Sequence, residues 1–196
     1  METSIYKFEF RTNIMDIFPY GGIKGRVTEY LLDRPKERVK VTAIAKQLHV
    51  SKGHVSEVIK KLKKDGFIRD SVVNLEDPYI RSLKVAVNLS RIKESGTIAA
   101  IKKLHVDGAG LYGSWANGTN TEESDIDVWV KSGSKIRAID IAGLSRHIGE
   151  SLHVEPQILI LDKDKIKKLK DDNPIFYFTL LFGSVLLFGE SIGQSR

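Results

Sequence analysis

Cysteine is absent from this 196-residue sequence, which excludes disulfides and thiolate metal sites. The absence fits a reducing, cytoplasmic setting. A long apolar run is also missing. The most hydrophobic stretch, residues 175–189, contains Thr179, Gly183 and Ser184, and falls short of the roughly 20 residues that a membrane-spanning helix needs. It is expected to be buried core, and no membrane association is expected. No basic-then-apolar leader opens the sequence, and no repeat or low-complexity tract runs through it. What is present is ordinarily globular, 41% hydrophobic and 29% charged, with room for one large domain or two small ones.

Charge is unevenly placed. Residues 1–93 carry 19 Lys and Arg against 11 Asp and Glu, whereas residues 94–196 carry 12 against 14, within a net charge of +6. A basic N-terminal half could face nucleic acid, or its lysines could simply keep helices soluble.

Residues 42–64 read as two short helices around a tight turn. Thr42 can cap the first, with Ile44, Ala45 and Leu48 on its apolar face. His49-Val50 forms the turn, and Ser51 is a good N-cap for the second. Val55, Val58, Ile59 and Leu62 form the second helix's buried stripe, and Gly66 marks its stop. Phe67-Ile68-Arg69 and Val72-Val73 suggest two short strands, and Val27, Tyr30, Leu31 and Leu32 suggest a supporting helix ending before Pro35. Across residues 22–75, Ala43 to Ser51 together with Val55-Ser56 and Leu62 to Ile68 resembles the winged helix-turn-helix family. The resemblance implies a second helix that enters the major groove, so Lys52, His54 and Ser56 are candidate base contacts. Lys60, Lys61, Lys63 and Lys64 are candidate phosphate contacts. No arginine occupies residues 52–64, so a bidentate arginine–guanine contact is unavailable there. Winged helices also dock proteins, and that alternative stays open.

Asp77-Pro78 is a helix start, a capping carboxylate followed by proline. Residues 78–92 then carry Ile80, Leu83, Val87 and also Val85, Leu89, Ile92, a face broad enough for burial on two sides, between domains or in a homodimer. Three segments are expected: a winged helix with an N-terminal strand over 1–76, a linker helix over 77–96, and a second domain over 97–196.

From residue 97 the pattern alternates: helix 97–104, strand 109–112, a Gly-Ser turn, strand 125–131, helix 135–152, strand 154–161, helices 164–171 and 174–182, strand 185–188. This is an α/β (α+β) arrangement with a small mixed sheet covered by helices. Its most informative stretch is Gly113-Ser114-Trp115-Ala116-Asn117-Gly118-Thr119 followed by Ser124-Asp125-Ile126-Asp127. Aspartates at i and i+2 of a strand share a face, about 6.5–7 Å apart at Cα. Two carboxylates so held can share divalent cations, and a turn of small residues lets backbone N–H groups approach phosphate oxygens. The chemistry suggested is metal-dependent transfer from a nucleoside triphosphate.

These residues resemble the nucleotidyltransferase superfamily, the group related to DNA polymerase beta, and in particular its minimal branch. Gly183 to Gly189 also looks like that branch's final strand. The resemblance implies that Ser114 and the amides of Gly113 and Ser114 hold the triphosphate, with Gly118, Thr119 and Ser124 shaping or touching the phosphate site. It implies that Asp125 and Asp127 bind two Mg²⁺ ions, or Mn²⁺ in their place. It also calls for a third acid on a neighbouring strand, where Glu155 is the candidate metal ligand and base. The departure is that the family commonly has aspartate there. Pro156 disturbs the ladder beside it, and Gln157 could take the position instead, leaving a slow or inactive site.

Glu122 and Glu123 are expected in solvent, and Trp115 and Trp129 in packing rather than on a base. The expected partners are a nucleoside triphosphate, duplex DNA, a separate small helical protein and a second copy of the chain, with the acceptor hydroxyl on a protein partner, a nucleic acid or a small molecule. Two other readings stand beside the enzyme: a DNA-binding regulator whose second domain senses nucleotide without turnover, and an antitoxin-like protein that acts by binding.

Overall fold

The computed structural model of the chain describes residues 22–194. The N-terminal strand expected ahead of the winged helix lies outside the described residues. Helices α1 (Gly22–Asp33), α2 (Val41–Leu48) and α3 (Lys52–Lys64) precede a two-stranded wing, β1 (Ile68–Arg69) and β2 (Val72–Val73). Val27, Leu31, Leu32, Ile44, Val55, Ile59 and Leu62 form its core. The stripe expected on α3 is thus the buried one, with Val58 packed at its margin.

Local chemistry sets the boundaries. Ser51 Oγ accepts from His54 N at 3.3 Å and starts α3, and Gly66, at φ 75°, ends the chain's helical run. Thr42 is not the cap of α2. Lys40 holds that place, extended and without a side-chain cap, and Thr42 is already inside the helix. The cause lies in the wing: Val39 N donates to Ser71 O at 2.8 Å, which holds the preceding segment extended and lets the helix begin at once.

Helix α4 (Pro78–Glu94) starts as expected, with Asp77 Oδ1 accepting from Tyr79 N at 2.8 Å. Ile80 and Val87 enter the winged-helix core, while Ile92 enters the core of the second half. The breadth of its buried face is therefore accounted for within one chain.

The second half comprises α5 (Thr97–Lys102), β3 (Gly108–Tyr112), α6 (Gly113–Asn117), β4 (Ile126–Lys131), α7 (Ala138–Leu152), β5 (Pro156–Leu161), α8 (Lys163–Asp172), α9 (Pro174–Gly183) and β6 (Val185–Gly189). The sheet order is β5-β4-β3-β6, with β3 antiparallel to both β4 and β6. β4 and β5 run parallel, so α7 is the crossover such a pair requires. Leu111, Ile126, Val128 and Val130 bury one face against Ile101, Leu144 and Ile148, while Trp129 packs with Tyr177 and Leu180 on the other.

Two expectations change. The Gly-Ser turn is a five-residue helix, α6. The apolar stretch 175–189 is only partly core: Tyr177 and Leu180 are buried, but Ile175 is 82% and Phe182 79% exposed. That stretch supplies α9 and β6, an outer layer and a sheet edge, so the side chains of Ile175, Phe178, Thr179, Phe182 and Leu186 are exposed. Among the described residues no helix is long and apolar enough to cross a membrane.

Candidate active site

At the end of β3, Gly113 takes φ 67° and turns the chain from Tyr112 into α6. A Cβ on Gly113 would collide with the Asp127 carboxylate, so the turn is seated directly on that group. Asp127 lies opposite Tyr112 on the antiparallel side and opposite Gln157 on the parallel side. Asp125 sits one residue before β4 and is exposed, whereas Asp127 is half-buried. Burial, and then the charge of Asp125, raise the Asp127 carboxyl above its usual value. Burial and the nearby Asp127 likewise push the Tyr112 phenol up.

A half-buried carboxylate whose ionisation is opposed by a second one nearby suits a divalent cation bound by oxygen ligands. The fit is incomplete on the third side. Glu155 is exposed and its carbonyl accepts from Ile126 N at 2.9 Å, which sets it level with Asp125 just ahead of β5. By register it shares the sheet face of the two aspartates, as does Gln157, the direct neighbour of Asp127. Among the described residues no three acidic or histidine side chains are arranged to hold a metal ion.

The five candidate phosphate residues divide into two groups. Gly113 and Ser114 lie at the carboxylate end of α6. Gly118 lies at the other end, at φ 67°, where a Cβ would strike the Arg81 carbonyl of α4. A five-residue helix is about 7.5 Å long, so its two glycines meet different neighbours. Thr119 N–H is already given to Ser114 O at 3.0 Å, and Ser124 Oγ accepts from Thr121 N at 2.9 Å. Both shape the loop that delivers Asp125.

Two family models match the chain: the MarR family over residues 34–71, and a nucleotidyltransferase domain over residues 95–181. A MarR-type winged helix precedes a nucleotidyltransferase domain in this chain. No curated protein matches it. The Gly-Ser turn, both aspartates, Glu155 and Gln157 all fall inside the nucleotidyltransferase match.

On the winged helix, Lys52, His54, Ser56, Lys60 and Lys61 are all exposed on α3, as are Lys63 and Lys64. His54 Nδ1 lies 3.1 Å from Ser51 Oγ, so its ring also sits over the helix cap. Glu122 and Glu123 are exposed, and Trp115 and Trp129 are each 1% exposed core residues.

Sequence reasoning missed the polar residues of α4. Asn88 Nδ2 donates to Trp115 O at 2.9 Å and to Asn120 Oδ1 at 2.8 Å, which fixes the nucleotidyltransferase loop to the linker helix. Arg91 reaches Asp33 at 3.4 Å, donates to Leu152 O at 3.1 Å and lies over the Trp115 ring. A signal was available. Lys84 and Asn88 stand at i, i+4 inside a stripe otherwise made of Ile80, Val87 and Ile92, and polar residues on a buried stripe imply buried partners.

Proposed function

We propose that the nucleotidyltransferase domain moves a nucleoside monophosphate from a nucleoside triphosphate to an acceptor hydroxyl. The acceptor oxygen forms a bond to the α-phosphorus, the bond to the bridging oxygen breaks, and pyrophosphate leaves with the electron pair. Asp125 and Asp127 would hold two magnesium or manganese ions, which when bound stabilise charge on the attacking and leaving oxygens. Gly113 and Ser114 orient the triphosphate, and Glu155 takes the acceptor proton. The observation that carries this reading is the seating of the Gly113 turn on the carboxylate of Asp127 beside Asp125. The acceptor is a hydroxyl on a separate helical protein, for which the exposed Ile175, Phe178 and Phe182 of α9 offer an apolar face.

The test is a screen of labelled ATP, CTP, GTP and UTP with Mg²⁺, for binding and then for transfer to candidate acceptors. The wild type is expected to bind at least one triphosphate, and Asp125→Ala with Asp127→Ala to lose that binding. Failure of the wild type to bind any of the four, or equal binding by the double variant, ends the proposal.

A second reading is favoured by Gln157, not an acid, standing directly opposite Asp127. In it the domain senses nucleotide with little turnover and the winged helix binds duplex DNA. Lys60 and Lys61 then contact phosphates, and Lys60→Ala should lower the slope of log affinity against log salt by about one unit. A chain that shows no duplex binding at low salt excludes it.

A further inference from the structure

The seam between the winged helix and the nucleotidyltransferase domain holds an open cleft of about 240 Å³, lined in part by Asp33, Lys84, Arg91, Asn120, Thr121 and Glu122. Lys84 is its unusual member. The side chain is 1% exposed and lines this cleft, and its ammonium makes no hydrogen bond or ion pair among the described residues.

Lys131 shows how this fold treats a buried lysine whose charge is satisfied. At 7% exposure, its ammonium is held by Glu190 at 2.9 Å and by the carbonyls of Ser191 and Gln194. Lys84 has three donors and no protein acceptor, so the oxygens it needs must come from what enters the cleft, water or an anion.

The neighbours do not supply them. Asp33 is engaged by Arg91, and Arg34, also on the wall, pairs with Glu37 at 3.7 Å. Glu122 is an exposed loop residue that acts on Lys84 only through its field, as Asp33 does, while Arg91 opposes both. Arg34 and Arg91 are thus paired with Glu37 and Asp33, which leaves Lys84 as the cation of this wall without a carboxylate bonded to it among the described residues.

We propose that this seam binds a small phosphate-type anion, either inorganic phosphate or the phosphoryl end of a nucleotide, with Lys84 as its principal donor. Burial brings the pKa of Lys84 down to about 8, so the ammonium is still the main form at pH 7. One wall is the end of α1 in the winged helix. Another, Thr121 and Glu122, opens the loop that carries Asp125. An anion there fastens the winged helix to the loop of the nucleotidyltransferase site, whether or not that site turns over.

The experiment uses the full chain with chelator present, so that metal-dependent binding at Asp125 and Asp127 is silent. Melting is followed against inorganic phosphate or 5′-AMP, with chloride at matched ionic strength as reference. The wild type should rise by several degrees at saturation. Asp125→Ala with Asp127→Ala should keep the rise, and Lys84→Met should lose it. A response to phosphate alone identifies a free anion, and a response to AMP as well identifies phosphoryl recognition. Either supports the site. In parallel, lysine-selective NMR of the wild type should show Lys84 titrating at higher pH when phosphate is added, a readout that does not depend on Lys84→Met folding. No melting response from the wild type, an undiminished response from Lys84→Met, or a Lys84 titration indifferent to phosphate overturns the proposal.

Discussion

Asp127→Asn is expected to abolish nucleotidyl transfer, by at least about a thousandfold, while making the metal-free chain more stable near neutral pH. The loss follows from the role proposed for the group. Removal of a single charge-stabilising donor costs about a hundredfold to a thousandfold, and Asp127 is proposed to hold the ions that stabilise that charge. The gain follows from the direction of its shift. Burial and Asp125 raise Asp127 above the ordinary value of 3.8, so over the window just above that value the folded chain holds more protons than the unfolded chain. Stability therefore falls as pH rises through this window, and the deficit persists at neutral pH. Asparagine cannot ionise and carries no such deficit. Melting curves should place Asp127→Asn above wild type at pH 7, and the gap should close once the pH drops below the window. Wild-type transfer should fade over the same descent, because the carboxylate is what is needed. Wild-type activity in Asp127→Asn would show that the group does not hold the ions, and a variant that melts below wild type at pH 7 without metal would show that its charge carries no deficit.

The placement of Asp127 is legible in the sequence. Strand geometry puts it on one face with Asp125, and the role expected of the pair rests on the resemblance carried by the whole Gly113 to Asp127 stretch. Asp77-Pro78, Ser51 and Gly66 are equally local, and each sits where capping chemistry puts it. What is not legible depends on pieces distant in the chain. Thr42 loses its expected place because Val39 is tied to Ser71 in the wing. The outward face of α9 cannot be told from core by hydropathy, because α9 lies with α8 in the outer layer on that side of the sheet and its far surface meets solvent. Nor can spacing say whether Glu155 or Gln157 stands beside Asp127. Parallel pairing decides it, and it puts Gln157 there. Lys84 and Asn88 do leave a signal, polar residues on a buried stripe, but spacing does not give their partners, which lie far along the chain: Asn88 ties the two halves together.

The two glycines that flank α6 yield the sharpest separation of catalysis from stability. Both sit at φ 67°, where any side chain costs about 1–2 kcal/mol. They differ in what a new Cβ meets. At Gly113 it meets the carboxylate of Asp127, the end of a short side chain that can swing away. At Gly118 it meets the backbone carbonyl of Arg81, which cannot move without displacing α4. Gly113→Ala should therefore lose only about 1–2 kcal/mol in urea unfolding. Its transfer rate should nevertheless fall about a hundredfold, because a carboxylate displaced by an ångström no longer aligns the reaction. Gly118→Ala should lose about 2–5 kcal/mol, the conformational cost plus that of overpacking. Each molecule that remains folded should still bind triphosphate as the wild type does. If Gly113→Ala transfers normally, the turn does not position Asp127. If Gly118→Ala loses triphosphate binding while folded, the far end of α6 belongs to the phosphate site after all.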